Sequence, residues 1–330
     1  MLIDRNNNIK EIKMNELKRC ANQQAITASD INGAIIGMFV NSLDVRETSR
    51  KTYTKGLNYF VTYLNREGID TPTRSDILAY KDYLTRTYTA STASTYLTAV
   101  RKFYSYLNAE TGVANVAAGI KNPKTSRTGH LKDALTVEQA RDMMQAVDAD
   151  TVKGKRDLAI IELMTLTGLR TIEVIRADVE DVRSIDGAPV LYVQGKGRDA
   201  KDEYVKLPQT VINALQSYLD ARDELKPVRD NQPLFTSASN RNALGRLTTR
   251  SISRICKETM KDAGINSKRL TAHSLRHTAV TFALKAGANI RDVQQMARHS
   301  NVATTERYAH DLRRLNNSAE DMAEALLLAC

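Results

Sequence analysis

Between two stretches of helical periodicity lies a segment that no packed core could use, Lys121-Asn-Pro-Lys-Thr-Ser-Arg-Thr-Gly-His-Leu-Lys132. It holds four basic residues, no acidic ones, a proline and a glycine. It therefore offers neither a helix interior nor an apolar face. A chain of 330 residues interrupted there is expected to fold as two bodies. The expected division is a flexible N-terminal arm over 1–25, a helical domain over 26–116, a basic linker over 117–133 and a larger domain over 134–330.

The first domain reads as about four helices between Ser29 and Asn108. Tyr53, Leu57, Phe60 and Leu64 recur at spacings of four, three and four, which lines one face of a helix. Thr73 opens another after Pro72, running through Tyr80 and Leu84. Residues Thr92 to Leu107 give a further one, with Tyr96, Val100, Phe103, Tyr104 and Leu107 on its apolar side. Nine of the thirteen tyrosines fall between Tyr53 and Tyr106. At helical spacing they are expected in the core rather than in chemistry, some reaching a polyanion backbone through their hydroxyls.

Beyond the linker, Thr136 is a plausible N-cap, and Arg156 to Thr167 is apolar enough for a buried helix stopped by Gly168. The alternation in Val190–Gln194 and Glu203–Leu207, flanking Gly195-Lys-Gly-Arg-Asp-Ala-Lys, predicts a β-hairpin. Thereafter the chain reads as helical to its end. The fold class is mostly α with a small β component.

Charge narrows the partners. The net charge is +10, and residues 241–314 alone hold 15 Lys or Arg against 5 Asp or Glu. Such a field favours a polyanion, and nucleic acid phosphates are its commonest use. The three cysteines, Cys20, Cys256 and Cys330, form neither a disulfide framework nor a zinc spacing, which points to a reducing cytosol. The N-terminus lacks a signal-peptide core, and no apolar run approaches about 18 residues. A cytoplasmic protein without a membrane span is expected.

His273, Arg276, His299 and Tyr308 fall within 36 residues, with Arg170 in T-G-L-R-T-I-E-V far upstream. Guanidiniums fork onto phosphate oxygens, imidazoles move protons, and a phenolic oxygen can attack phosphorus. Phosphoryl transfer depends mostly on positioning and on neutralising developing charge. The spacing of His273 and Arg276 puts both on one face of a helix. A phenol is protonated near neutral pH, so Tyr308 needs an acceptor such as His273.

In order, the second half contains T-G-L-R-T-I-E-V, G-K-G with Lys196, H-S-L-R-H, A-R-H-S and T-T-E-R-Y. This ordered set resembles the tyrosine recombinase (phage integrase) family, over essentially the whole chain beyond its first 25 residues. The resemblance implies a helical core-binding domain joined to an α/β catalytic domain, closing as a C-shaped clamp on duplex DNA. It implies that Arg170 and Arg276 contact the scissile phosphate, that Tyr308 is the nucleophile and that Lys196 is the general acid for the leaving 5′-oxygen. His273 and His299 would assist proton transfer, and Glu173 would support the site. Lys121, Lys124, Arg127, Arg250 and Arg298 are expected to contact the DNA backbone. Neither metal nor cofactor is expected, because a 3′-phosphotyrosine retains the energy of the broken bond.

The match departs from the family's usual Leu-Gly before His299, since Ala297 and Arg298 stand there. A glycine suits a left-handed helix end, so a shifted His299 is expected. His277 is expected to point elsewhere on its helix, His310 to lie at the surface or behind the site, and His130 to belong to the linker. Tyr192, Tyr204 and Tyr218 are the rival nucleophiles. The implied assembly is a homo-tetramer, or a hetero-tetramer with a related recombinase, on DNA with a short inverted-repeat core site. Its C-terminal helix, capped by Ser318, would dock in a neighbouring subunit. Resolution of dimeric replicons, as by Xer proteins, competes with integration of a mobile element. A catalytically silent architectural protein and a type IB topoisomerase are the alternatives.

Overall fold

The computed structural model describes residues 25–124, 133–195, 198–225, 228–229, 231–238, 244–316 and 319–328, with the side chains of 311–320, 322 and 325 left out. Lys196, Arg127, His130, Ser318 and nearly all of the expected arm lie outside the described residues. The chain divides into two compact units, Met1–Arg127 and Thr128–Cys330.

The first unit contains four helices, α1 (Gly33–Ser42), α2 (Glu47–Glu67), α3 (Arg74–Thr87) and α4 (Ala90–Thr111). Local chemistry sets their ends. Gly68 and Gly112 take φ of 65° and 75° after α2 and α4, a conformation that costs glycine nothing. Asp76 accepts the Thr73 amide at 2.8 Å at the start of α3. Of the periodic positions read from the sequence, Leu57, Phe60, Leu64, Leu84, Val100 and Phe103 are fully buried while Tyr53 is half-buried, and Ile77 and Leu97 add to the core. Each such side chain contributes about 1.5–3 kcal/mol on leaving water. Tyr63, Tyr80, Tyr96 and Tyr104 join them, with the Phe60 and Tyr80 ring centres 4.9 Å apart, whereas Tyr59 reaches the surface.

The second unit opens with α5 (Val137–Gln145), which Thr136 caps by accepting the Gln139 amide. Next comes α6 (Val152–Thr167), whose Ala159, Ile160, Ile161, Leu163 and Met164 are wholly enclosed. It is the axis of the core, since α8 (Gln209–Asp223) and α10 (Ala272–Lys285) pack against it. The short α7 (Thr171–Arg176) leads to an antiparallel sheet of β1 (Val182–Ile185), β2 (Ala188–Val193) and β3 (Glu203–Lys206), ordered β1-β2-β3. The β2–β3 register pairs Tyr192 with Tyr204 and Leu191 with Val205. Leu191, Val193 and Val205 face the core.

Two features depart from the sequence reading. Strand β1 was not expected. It turns into β2 through Asp186 and Gly187, at φ 49° and 79°, the positive pair that a tight hairpin turn requires. The chain is also not helical throughout after β3. Bridges Asp178↔Pro233 and Thr236↔Arg246 organise the stretch before α9 (Thr249–Asp262). There Arg222 donates to the carbonyls of Pro233 and Leu234, satisfying polar groups that no helix could pair. The remaining elements are α11 (Ile290–Ala297), α12 (Val302–Asn316) and α13 (Ala319–Leu328). No helix among the described residues is long and apolar enough to cross a membrane.

Candidate active site

The site grows from the end of α6. Gly168 adopts φ 66° and stops the helix, so the chain turns back through buried Leu169 to Arg170. Arg170 is the N-cap of α7, and Glu173 closes that turn by accepting the Arg170 amide at 2.8 Å. The same carboxylate accepts Arg170 Nη1 at 2.8 Å. The run T-G-L-R-T-I-E is thus a glycine stop followed by an arginine whose backbone and side chain are both held by one buried acid.

Helix α10 supplies the second guanidinium. Arg276 is buried, and its Nη1 donates to the Gly168 carbonyl at 2.6 Å while Nη2 donates to the carbonyl of Ala297. Burial, with the nearby charges of Arg170 and Arg298, pushes its pKa down to about 9. Arg276 thereby ties the ends of α6 and α11 together beside Arg170.

The end of α11 differs from the expected phosphate contact at Arg298. This residue takes the left-handed conformation, φ 53° and ψ 50°, where glycine would be the easy choice. Its side chain, only 3% exposed, turns inward, with Nη2 on Glu173 at 2.8 Å and Nη1 on the Met296 carbonyl at 2.6 Å. Its carbonyl accepts Arg170 Nη2 at 3.1 Å. Arg298 therefore fastens the site from behind. Burial raises the Glu173 pKa, but the Arg298 and Arg170 contacts more than offset that and hold it below the usual range.

His299 follows, with its amide bonded to the Gln294 carbonyl and its own carbonyl accepting Gln294 Nε2 at 3.0 Å. Its Nδ1 lies 2.9 Å from Thr305 Oγ1. Burial, then Arg276, Arg170, Arg298 and His273, push its pKa down to about 4. The ring is thus a neutral imidazole at physiological pH.

Three residues after Thr305 on α12 stands Tyr308, buried, with its ring 6.3 Å from that of His299 and inclined by 16°. Its hydroxyl is hydrogen-bonded to His277 Nδ1. This corrects one expectation: His277 does not point away from the site but meets the phenol. The reason is helical phase. Residues 273 and 277 are four apart, so they share the face that carries Arg276, and the two imidazole centres lie 4.7 Å apart. Desolvation pushes the Tyr308 pKa up to about 12, against the opposing charges of Arg276 and Arg307.

Beside these groups opens a cleft of about 1250 Å³, lined among others by Arg170, Arg198, Lys206, Arg291, Arg298 and His299. Arg170 and Arg298 share the buried Glu173 carboxylate, and Arg276 lies close by on backbone carbonyls, so guanidinium outnumbers carboxylate and the site favours an anion. The described stem of the β2–β3 hairpin, including Gly195, borders the cleft. Lys121, Lys124 and Arg250 are exposed and stand outside this cluster. Of the rival tyrosines, Tyr218 is buried with its hydroxyl 3.0 Å from Thr236 Oγ1, and Tyr192 and Tyr204 pair across the strands. His310 is exposed. Among the described residues, no group of three or more His, Cys, Asp or Glu is arranged to hold a metal.

Residues 133–314 match the model of the phage integrase family, and residues 39–111 match the phage integrase N-terminal SAM-like domain. The chain belongs to the phage integrase family. Its curated relatives in that family are tyrosine recombinases. XerD of Listeria monocytogenes serotype 4b is 30% identical over 268 residues, covering 79% of this chain and 86% of the relative. XerD of Staphylococcus epidermidis is 32% identical over 217 residues, covering 65% and 70%. The integrase fold is shared with XerH bound to a palindromic difH substrate in a post-cleavage complex, at TM-score 0.66 and 19% identity, over 95% of this chain and 88% of that one. A lambda integrase tetramer bound to a Holliday junction gives TM-score 0.63 and 18% identity, over 88% and 79%.

Proposed function

We propose that this integrase-family chain is a site-specific DNA recombinase whose nucleophile is Tyr308. The observation that carries the reading is the burial of the Tyr308 hydroxyl among imidazoles, beside Arg276, in a site with more guanidinium than carboxylate. A phosphodiester is the anion that suits such a site, because its two non-bridging oxygens match forked donors.

In this reading Arg170 and Arg276 grip the scissile phosphate, and the Tyr308 oxygen attacks phosphorus. The bond to the 5′-oxygen breaks as the phosphotyrosine forms, and Lys196 gives the leaving oxygen its proton. His299, kept neutral by burial and then by its cationic surroundings, donates to a phosphate oxygen through Nε2 while Thr305 occupies Nδ1. Reversal by a 5′-hydroxyl from a second duplex exchanges strands through a Holliday junction, without ATP. Lys121, Lys124, Arg127 and Arg250 are proposed to follow the DNA backbone.

The proposed substrate is duplex DNA with a short inverted-repeat core, bound by a tetramer of this chain or of this chain and a related recombinase. Helix α13 exposes Leu326, Leu327 and Leu328, an apolar end suited to docking in a neighbouring subunit. The proposed location is the cytoplasm, and the proposed role is dimer resolution or movement of a mobile element. Selection of bound duplexes from a random library, then nicking of the recovered core to trap cleavage, tests this reading. A covalent protein–DNA complex is the expected product. Tight binding without one would instead favour a silent architectural protein.

A further inference from the structure

One residue that touches the Tyr308 hydroxyl, His277, lies outside the six that the sequence motifs single out. His277 is buried, and its ring centre lies 5.3 Å from that of Tyr308. Its Nδ1 is hydrogen-bonded to the phenolic oxygen. The edge of one imidazole meets the face of the other between His273 and His277, with an interplanar angle of 84°, which fixes the His277 ring from its second side. His299, with its ring centre 6.3 Å from that of Tyr308, has its Nδ1 engaged with Thr305. Geometry comes first in choosing a general base, and the base must lie within hydrogen-bond reach of the proton it takes.

We infer that His277 is the proton acceptor for Tyr308. As the phenolic oxygen bonds to phosphorus, its proton passes to His277 Nδ1, and the 5′-oxygen leaves with a proton from the general acid. When a 5′-hydroxyl later attacks the phosphotyrosine, its proton passes to the deprotonated general acid, and the imidazolium returns its own proton to the departing phenolate. No atom or electron is left over, and His277 ends each cycle neutral. The pair thus serves cleavage and rejoining with one proton. The charged and titratable groups around the His277–Tyr308 pair include His273 and Arg276 on α10, Arg307 on α12, and His299 after α11. Arg276 and Arg307 both favour the phenolate.

This inference rests on Tyr308 being the nucleophile, and one experiment separates the two. Covalent complex formation on a nicked duplex is followed in single turnover across pH, for the wild type, Tyr308→Phe, His277→Ala and His277→Asn, with and without added imidazole. Gel shifts report whether each variant still binds DNA. His277→Ala is expected to bind normally and to cleave about a hundred- to ten-thousandfold more slowly near neutral pH. Its rate should climb with rising pH, and imidazole should restore part of it. His277→Asn should bind and be slow, without rescue, because its amide fills the space. An unchanged rate and pH profile in His277→Ala would overturn the assignment. So would a loss that neither pH nor imidazole relieves, or failure of both variants to bind DNA, which would give His277 a folding role. A Tyr308→Phe protein that still became covalently attached would overturn the nucleophile instead.

Discussion

Glu173 carries two guanidiniums at once, Arg170 on Oε1 and Arg298 on Oε2, each at 2.8 Å, with its side chain fully enclosed. One of these cations is expected to hold phosphate, and the other stands where the family usually has glycine. The backbone strain of a non-glycine residue at φ 53° is about 1–2 kcal/mol. A buried hydrogen bond between charged groups contributes about 1.5–3 kcal/mol, which outweighs it.

Arg298→Gly is therefore expected to lower stability by about 1 kcal/mol, despite the easier backbone. It should also slow cleavage, because Glu173 then draws Arg170 inward. Urea unfolding and single-turnover cleavage check both effects. A more stable variant that cleaved normally would make Arg298 a tolerated accident.

Arg276→Lys and Arg170→Lys should each bind DNA yet cleave about a hundred- to thousandfold more slowly, a loss of about 2.7–4 kcal/mol in the transition state. An ammonium cannot reproduce the fork that holds the Gly168 and Ala297 carbonyls, nor a forked grip on phosphate. Near-normal cleavage by either variant would place that arginine outside the chemistry.

His299 gives a pH dependence with a defined sign. Its folded pKa is pushed down to about 4, so between its ordinary value of 6.5 and 4 the unfolded chain takes up a proton that the folded chain refuses. This contribution to stability is whole above pH 6.5 and is lost as the pH falls toward 4. The difference in unfolding free energy between wild type and His299→Gln should vary across that window and be flat above it. A His299 ring that titrates near 6.5 by NMR in the free protein would contradict this.

Glu162 gives the opposite sign. It is 8% exposed on α6, its Oε2 is buried without a hydrogen-bond partner, and desolvation pushes its pKa up to about 7. An unfolded chain ionises it near 4.5, so stability is whole below that pH and falls as the pH rises through 7. Glu162→Gln should stabilise the protein at pH 8 by roughly 1–3 kcal/mol and have little effect at pH 4. Equal effects at both pH values in thermal unfolding would rule out buried charge as the cause.

What could be read in the sequence was what local chemistry determines. The glycine stop at 168, the apolar faces of α2 to α4 and the one-sided spacing of His273 and Arg276 follow from helix geometry, and the structure keeps them. Strand β1 was missed, because its four residues are too few to show a period, and the turn at Asp186-Gly187 that pairs it with β2 shows only in the backbone. The stretch before α9 was not legible, because a bridge from Pro233 to distant Asp178, together with the one between Thr236 and Arg246, orders it. The roles of His277 and Arg298 also lay beyond local pattern. His277 meets a tyrosine 31 positions away through the packing of α10 on α12, and Arg298 is turned inward by a carboxylate 125 positions upstream.

The most direct measurement is the identity of the residue joined to DNA. A nicked core duplex, trapped with the wild-type protein, is digested and the peptide bearing the 3′-phosphonucleotide is sequenced by mass spectrometry. Attachment at Tyr308 is the expected result, with no adduct from Tyr308→Phe. Attachment at Tyr192, Tyr204 or Tyr218, or an adduct that survives Tyr308→Phe, would contradict the assignment of the active site.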